Sequence, residues 1–99
     1  MTSESIFKAQ LLKKLRKIPN SWWSCINQQS IHGTPDILGC VRGRFVAIEC
    51  KMKITSAFKS HERLQMFVLS SIAQTNGIAI IATPKNADAH LFALHKLAS

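Results

Sequence analysis

Asp36, Glu49 and Lys51 are the residues of this chain whose types and spacing can do chemistry together. They sit in two β-prone runs, 35–41 and 44–51, separated by Arg42-Gly43. Glycine tolerates the positive φ that a tight turn demands, so the pair reads as the two-residue turn of a hairpin. Partners across such a hairpin pair Val41 with Arg44, Cys40 with Phe45 and, further along, Asp36 with Glu49. Directly opposed residues have Cβ atoms about 4.5–5.5 Å apart, and two carboxylates at that distance oppose folding unless something cationic joins them. Lys51 lies two residues beyond Glu49, and strand alternation places it on the same face. A divalent cation would complete the neutralisation. The simpler alternative is a surface hairpin in which Lys51 forms a salt bridge with one carboxylate.

The charge inventory sharpens the point. Against 13 Lys and Arg the chain has only 5 Asp and Glu, a net charge of +8, and the turn register sets two of those five side by side. A field of that sign attracts polyanions, with a merely solvated basic surface as the alternative. Attachment to an anionic membrane would need an amphipathic helix with no other duty. The one basic helix, near residues 4–18, carries an apolar stripe that the domain needs as core. No apolar run approaches the roughly 18 residues of a membrane span, and the N-terminus lacks the apolar region of a secretory signal, so the expectation is cytoplasmic. Cys25, Cys40 and Cys50 have neither zinc-site nor disulfide-framework spacing and read as buried reduced thiols.

The elements that must hold these residues follow from periodicity. Phe7, Leu11, Leu15 and Ile18 recur at helical spacing over 4–18, and Pro19-Asn20 ends that helix. Residues 21–28 alternate as a strand with one solvated face, and the hairpin follows. Leu64, Phe67, Val68, Leu69 and Ile72 mark a second helix over 61–76, with Gly77 placed as its C-terminal cap. Ile78 to Ala82 reads as a strand buried on both faces, and Asn86 or Asp88 as the cap of a last helix bearing Leu91, Leu94 and Leu97. The result is one α/β domain, residues 1–99, in the order αβββαβα: a mixed sheet flanked by helices.

Several further residues are candidates for the site. Gln65 is a polar residue on the apolar stripe of the second helix and needs a partner, either Lys51 or a substrate phosphate, unless it is an ordinary half-buried amide. Lys53, Lys59, His61 and Arg63 form a basic stretch beside the carboxylates that can track a phosphate backbone, or can simply be a solvated connection. His32 can also reach phosphate. Trp22 and Trp23 point to opposite faces of a strand, so at least one belongs to the core or an interface.

Gly33-Thr34-Pro35-Asp36, then Gly43, then Ile48-Glu49-Cys50-Lys51, resembles the motif of the PD-(D/E)xK nuclease superfamily, and within it the virus-type replication-repair nuclease (VRR-NUC) domain. The likeness extends to Gln65 followed twelve residues later by Gly77 and an apolar strand, and so covers nearly the whole chain. It implies a restriction-endonuclease-like αβββαβ core and a DNA endonuclease dependent on Mg²⁺ or Mn²⁺. The metal ligands it implies are Asp36, Glu49 and the backbone carbonyl of Cys50. Lys51 would orient the attacking water, help lower its pKa or stabilise charge in the transition state. A first-helix glutamate often assists in such nucleases, and Glu4, which lies three, seven and eleven residues before Phe7, Leu11 and Leu15 and so extends the inward stripe, is the candidate, against the reading of a first-turn carboxylate favoured by the helix dipole. The resemblance also implies a homodimer acting on branched DNA such as four-way junctions. Two rivals remain: a non-catalytic basic module of the same fold, and a flap, nick or single-strand nuclease.

Overall fold

The computed structural model describes residues 2–26, 33–53 and 60–99, with the backbone alone for Ser60 and His61. Helix α1 spans Ser3–Leu15. Thr2 caps it, its hydroxyl oxygen accepting the Ser5 N–H at 3.1 Å, and Glu4 lies in the first turn at the positive end of the helix dipole. The helix stops three residues short of the 4–18 expected from its stripe. Helical backbone is disfavoured before Pro19, and the last turn tightens: Lys17 N–H donates to the Lys14 carbonyl at 3.2 Å and Ile18 N–H to that of Leu15 at 3.0 Å. Ile18 still reaches the core.

Four strands form one sheet in the order β1 (Ser21–Cys25), β2 (Ile37–Val41), β3 (Arg44–Cys50), β4 (Ile78–Ala82). The first three pair antiparallel, and β4 lies parallel to β3 after a crossover through helix α2 (Ser60–Gln74). With the closing helix α3 (Ala87–Ala98) the order is αβββαβα, a mixed sheet flanked by helices as expected. The turn takes the left-handed backbone inferred for it, Arg42 at φ 49° and Gly43 at φ 80°. Arginine is a costly residue in that region; its N–H donates to the Asn20 carbonyl at 2.8 Å and its Nη1 to that of Ser99 at 2.9 Å, which offsets the strain. The register holds from Val41–Arg44 to Ile37–Ile48.

Other boundaries differ from expectation. β1 ends at Cys25 rather than 28, positions 27 and 28 lying outside the described residues. β2 begins at Ile37; Pro35 has no N–H to pair, while the Asp36 carbonyl still accepts the Ile26 N–H at 2.8 Å. Asn76, not Gly77, takes the left-handed position after α2, at φ 69°. Gly77 N–H donates to the Ile72 carbonyl and Asn76 N–H to that of Ala73, both at 3.1 Å, a Schellman closure. Gly77 is small for a different reason: a Cβ there would lie 2.9 Å from Ile72 Cγ2. Asn86 is the N-cap residue of α3, as one of the two expected candidates, but its side chain bonds no N–H of the helix's first turn. Thr83 and Asn86 form a reciprocal box, Asn86 Oδ1 accepting the Thr83 N–H at 2.7 Å and Thr83 Oγ1 the Asn86 N–H at 3.3 Å.

Alternation divides the sheet. Ile37 and Val41 of β2, Val46, Ile48 and Cys50 of β3, and Ile80 and Ala82 of β4 face Leu11 and Leu15 of α1 and Leu91 and Leu94 of α3, forming the main core. Ala47 and Glu49 point to the other face, where α2 packs on β3 and β4. β4 is an edge strand, so only Ile80 and Ala82 are fully buried, not both faces as its unbroken apolar run suggested. Trp23 is buried and Trp22 exposed, as their opposite facing requires. No helix among the described residues is long and apolar enough to cross a membrane.

Gly39 is the tightest point of the sheet. It pairs with Trp23, and a Cβ at Gly39 would collide with the Trp22 carbonyl and the Trp23 ring. Gly39→Ala is therefore expected to lower stability by about 2–3 kcal/mol, the scale of overpacking a fixed core, as a shifted urea midpoint with an unchanged slope.

Candidate active site

Asp36 stands one position past the last paired residues of the β2–β3 ladder, and Glu49 one position before the end of β3. The ladder therefore brings them together without pairing their backbones. Asp36 divides its carboxylate between two donors. Oδ2 accepts the backbone N–H of Cys50 at 2.9 Å, which fixes the carboxylate against β3, and Oδ1 accepts from Lys8 Nζ at 3.1 Å. One side chain thus ties β2, β3 and α1 into a single corner.

Glu49 is the anomaly of the fold. It is only 3% exposed, and its Oε1 is buried with no hydrogen-bond partner among the described residues. Burial raises its carboxyl to a pKa of about 8; the adjacent Asp36 charge and a side-chain hydrogen bond with Asp36 push the same way, while Lys51 and the Asp36 backbone pull down. The two carboxyls therefore meet as the register requires, and at neutral pH the pair favours holding a proton. A buried carboxyl with an unused oxygen is destabilising unless a cation or a proton satisfies it.

Lys51 follows β3. Its N–H donates to the Ala82 carbonyl at 2.9 Å, and its Nζ stands 3.7 Å from Glu49 Oε2 and 3.2 Å from Gln65 Oε1. Gln65, half-buried on α2, thus meets Lys51, one of the two partners its place on an apolar stripe allowed. Its oxygen holds the ammonium from the helix side while Glu49 holds it from the sheet side.

Other candidates lie further off. Glu4 is exposed, not part of the inward stripe, because it precedes the turn at which α1 meets the sheet. Its charge is a minor contribution to raising the Cys50 thiol. Lys53 and Arg63 are exposed on either side of positions 54–59. His32 and Lys59 lie outside the described residues, as does the His61 side chain.

Cys50 is held as a thiol. Cys50 is buried, and burial first, then the Asp36 charge, pushes its thiol to about 12, with Lys8 opposing. Cys25 and Cys40 are half-buried rather than buried, and none of the three forms a disulfide.

Lys8 is the residue that periodicity missed. Burial lowers its pKa, but the hydrogen bond and charge of Asp36, helped by Cys25 and Cys50, outweigh that and leave it raised. Its place after Phe7 gives no signal in the sequence that separates it from the solvated lysines of the same segment.

Two carboxyls with an unsatisfied buried oxygen are a fitting donor set for a hard divalent cation, which prefers oxygen. Among the described residues no three His, Cys, Asp or Glu side chains converge, so a cation here would rest on two side chains and main-chain or water oxygens. The chain matches no family model, no curated protein and no solved structure.

Proposed function

We propose that this chain is a divalent-metal-dependent nuclease that hydrolyses phosphodiester bonds in DNA. The observation that carries the reading is the buried Glu49 carboxyl, one oxygen unsatisfied, set against Asp36 with an ammonium on each side. Such an arrangement costs stability without a cation, and strained electrostatics of this kind concentrate at functional sites. The net charge of +8 supplies the attraction for a polyanion. The motif resemblance to VRR-NUC domains supplies the reaction class.

Asp36, Glu49 and the Cys50 carbonyl would hold Mg²⁺ or Mn²⁺. When bound, the cation supplies Lewis acidity that activates water near neutral pH and screens the scissile phosphate. The protein's own part is placement. The Cys50 N–H keeps Asp36 pointed at β3, and Glu49 would release its proton to solvent and offer its buried oxygens to the cation. Lys51, held by Gln65 and Glu49, directs its ammonium at the attacking water or at charge growing on the phosphate oxygens. The water oxygen bonds to phosphorus and gives up a proton to solvent as the P–O bond to the leaving group breaks, and the leaving oxygen takes up a proton from solvent. Lys53, Lys59, His61, Arg63 and His32 would contact the phosphate backbone. Homodimerisation and a preference for four-way junctions belong to the same resemblance, and two sites about a two-fold axis would suit paired cuts.

The decisive experiment incubates wild-type and Asp36→Asn protein with labelled junction, flap, duplex and single-stranded DNA, in Mg²⁺, Mn²⁺ or chelator. Metal-dependent cleavage by the wild type and a loss of at least about 10²-fold in the variant are expected, the scale of removing a preorganised electrostatic group. Cleavage that survives chelation or the substitution sinks the mechanism. Binding without cleavage in every condition means a non-catalytic module, and equal rates on all four substrates remove the junction preference alone.

A further inference from the structure

Lys8 holds the Asp36 oxygen that a metal would need. Asp36 has two carboxylate oxygens: Oδ2 is committed to the Cys50 N–H at 2.9 Å, and Oδ1 to Lys8 Nζ at 3.1 Å. The first bond belongs to the main chain of β3 and is fixed with the fold. The second comes from a long side chain on the exposed shoulder of α1, about a quarter exposed. Beside it lies a hollow of about 320 Å³ lined by Ser5, Lys8, Ala9, Leu12 and Cys25, with room for the lysine side chain to swing off the carboxylate. An ammonium and a divalent cation at one carboxylate oxygen repel each other, so the two compete for it.

We propose that Lys8 is an internal counter-ion, occupying Asp36 while no metal is bound and moving into the adjacent hollow when a divalent cation arrives. This rests on the metal-site reading above. Lys8 is in this view a positioning residue: it keeps Asp36 aimed at β3 in the empty site and sets how much free metal is needed to fill it. The displaced ammonium stays within reach of the corner, where it adds to the positive charge facing a phosphodiester.

The test is metal binding without DNA. Titrating the full chain with Mn²⁺ and reading free metal by electron paramagnetic resonance gives the dissociation constant for wild type, Lys8→Met and Lys8→Arg. Lys8→Met keeps the aliphatic stem and removes the charge. It is expected to bind Mn²⁺ about tenfold more tightly, the scale of one charge-assisted hydrogen bond, whereas Lys8→Arg is expected to show no gain. Unchanged or weaker binding by folded Lys8→Met overturns the proposal; weaker binding would make Lys8 a plain scaffold for Asp36. The wild type gives an independent reading that needs no variant. In Lys-labelled protein the Lys8 Nζ resonance should move away from its Asp36-bonded position as Mg²⁺ saturates the site, and persistence of that bond at saturation overturns the proposal. If the wild type binds neither Mn²⁺ nor Mg²⁺, the metal-site reading fails and takes this with it. If it binds metal and Lys8 does not respond, only the counter-ion role is lost.

Discussion

Glu49→Gln is expected to make the metal-free protein more stable at pH 8 while abolishing metal-dependent cleavage. The two effects share one cause. In the unfolded chain Glu49 titrates near 4.5; in the fold, burial first and the Asp36 charge second raise it to about 8. A carboxyl whose folded value is raised binds its proton more tightly in the native state. Its contribution to stability is therefore complete below about pH 4.5 and is lost as the pH climbs through about 8. A tenfold change in proton affinity is worth about 1.4 kcal/mol, and because Asp36 shares the titration the scale at stake is a few kcal/mol. The glutamine, which never ionises, should escape this loss. Urea unfolding in chelator from pH 5 to pH 9 is the measurement: wild type and Glu49→Gln start close together and diverge as pH rises. A constant gap would show that Glu49 is not the group responsible. Mg²⁺ should reverse the trend for wild type alone, because the metal takes the place of the proton and binds better as that proton is lost. Calorimetry at pH 7 in buffers of different ionisation enthalpy should accordingly report about one proton released per metal bound, the expected stoichiometry for a protonated ligand.

The second large effect belongs to Lys51. Lys51→Met should lower the cleavage rate by about 10²–10³-fold while leaving Mn²⁺ binding at least as strong as in wild type, the pattern of a group that acts on the reacting atoms rather than on the metal. Its ammonium touches Glu49 and Gln65. Removing it takes one competing cation from the carboxylates. Gln65→Leu deletes only the oxygen that steadies Lys51, and a loss of about tenfold is expected, the low end for a supporting residue. Single-turnover cleavage at saturating Mg²⁺, with Mn²⁺ affinity measured on the same samples, separates these cases. A Lys51→Met protein that cleaves normally would place the ammonium outside the chemistry. Equal losses for Lys51→Met and Gln65→Leu would mean that the lysine is useful only when Gln65 aims it.

The corner of the fold that holds these groups was readable from Arg42-Gly43, because a two-residue turn in left-handed backbone leaves one register and that register carries Asp36 to Glu49. Gln65 was readable as a polar residue on an apolar stripe that had to find a partner. Lys8 was not. In a segment with Lys13, Lys14, Arg16 and Lys17, one more cation between apolar positions looks like solvated surface, and only the corner of the sheet singles it out. Glu4 shows the converse error: helical spacing extended the stripe to it, but α1 approaches the sheet one turn later. Local pattern also says nothing about which strand lies at an edge, so Ile78 to Ala82 looked doubly buried. Nor does it reveal that the Trp23 ring lies over Gly39, a contact set by the pairing of separate strands.

The Arg42-Gly43 turn bears on how the gene for this chain can change. Most surface loops tolerate a gained or lost codon, since closing a slightly longer loop is cheap. Here one inserted residue would force a choice: a bulge that absorbs the extra residue, or a slip that sends Glu49 toward the leucines of α1 and α3 and brings Cys50 to the face under α2. Length variation in descendants of this chain should therefore gather in the other connections, while this turn changes by substitution alone, with Asn or Asp the readiest replacements for Arg42.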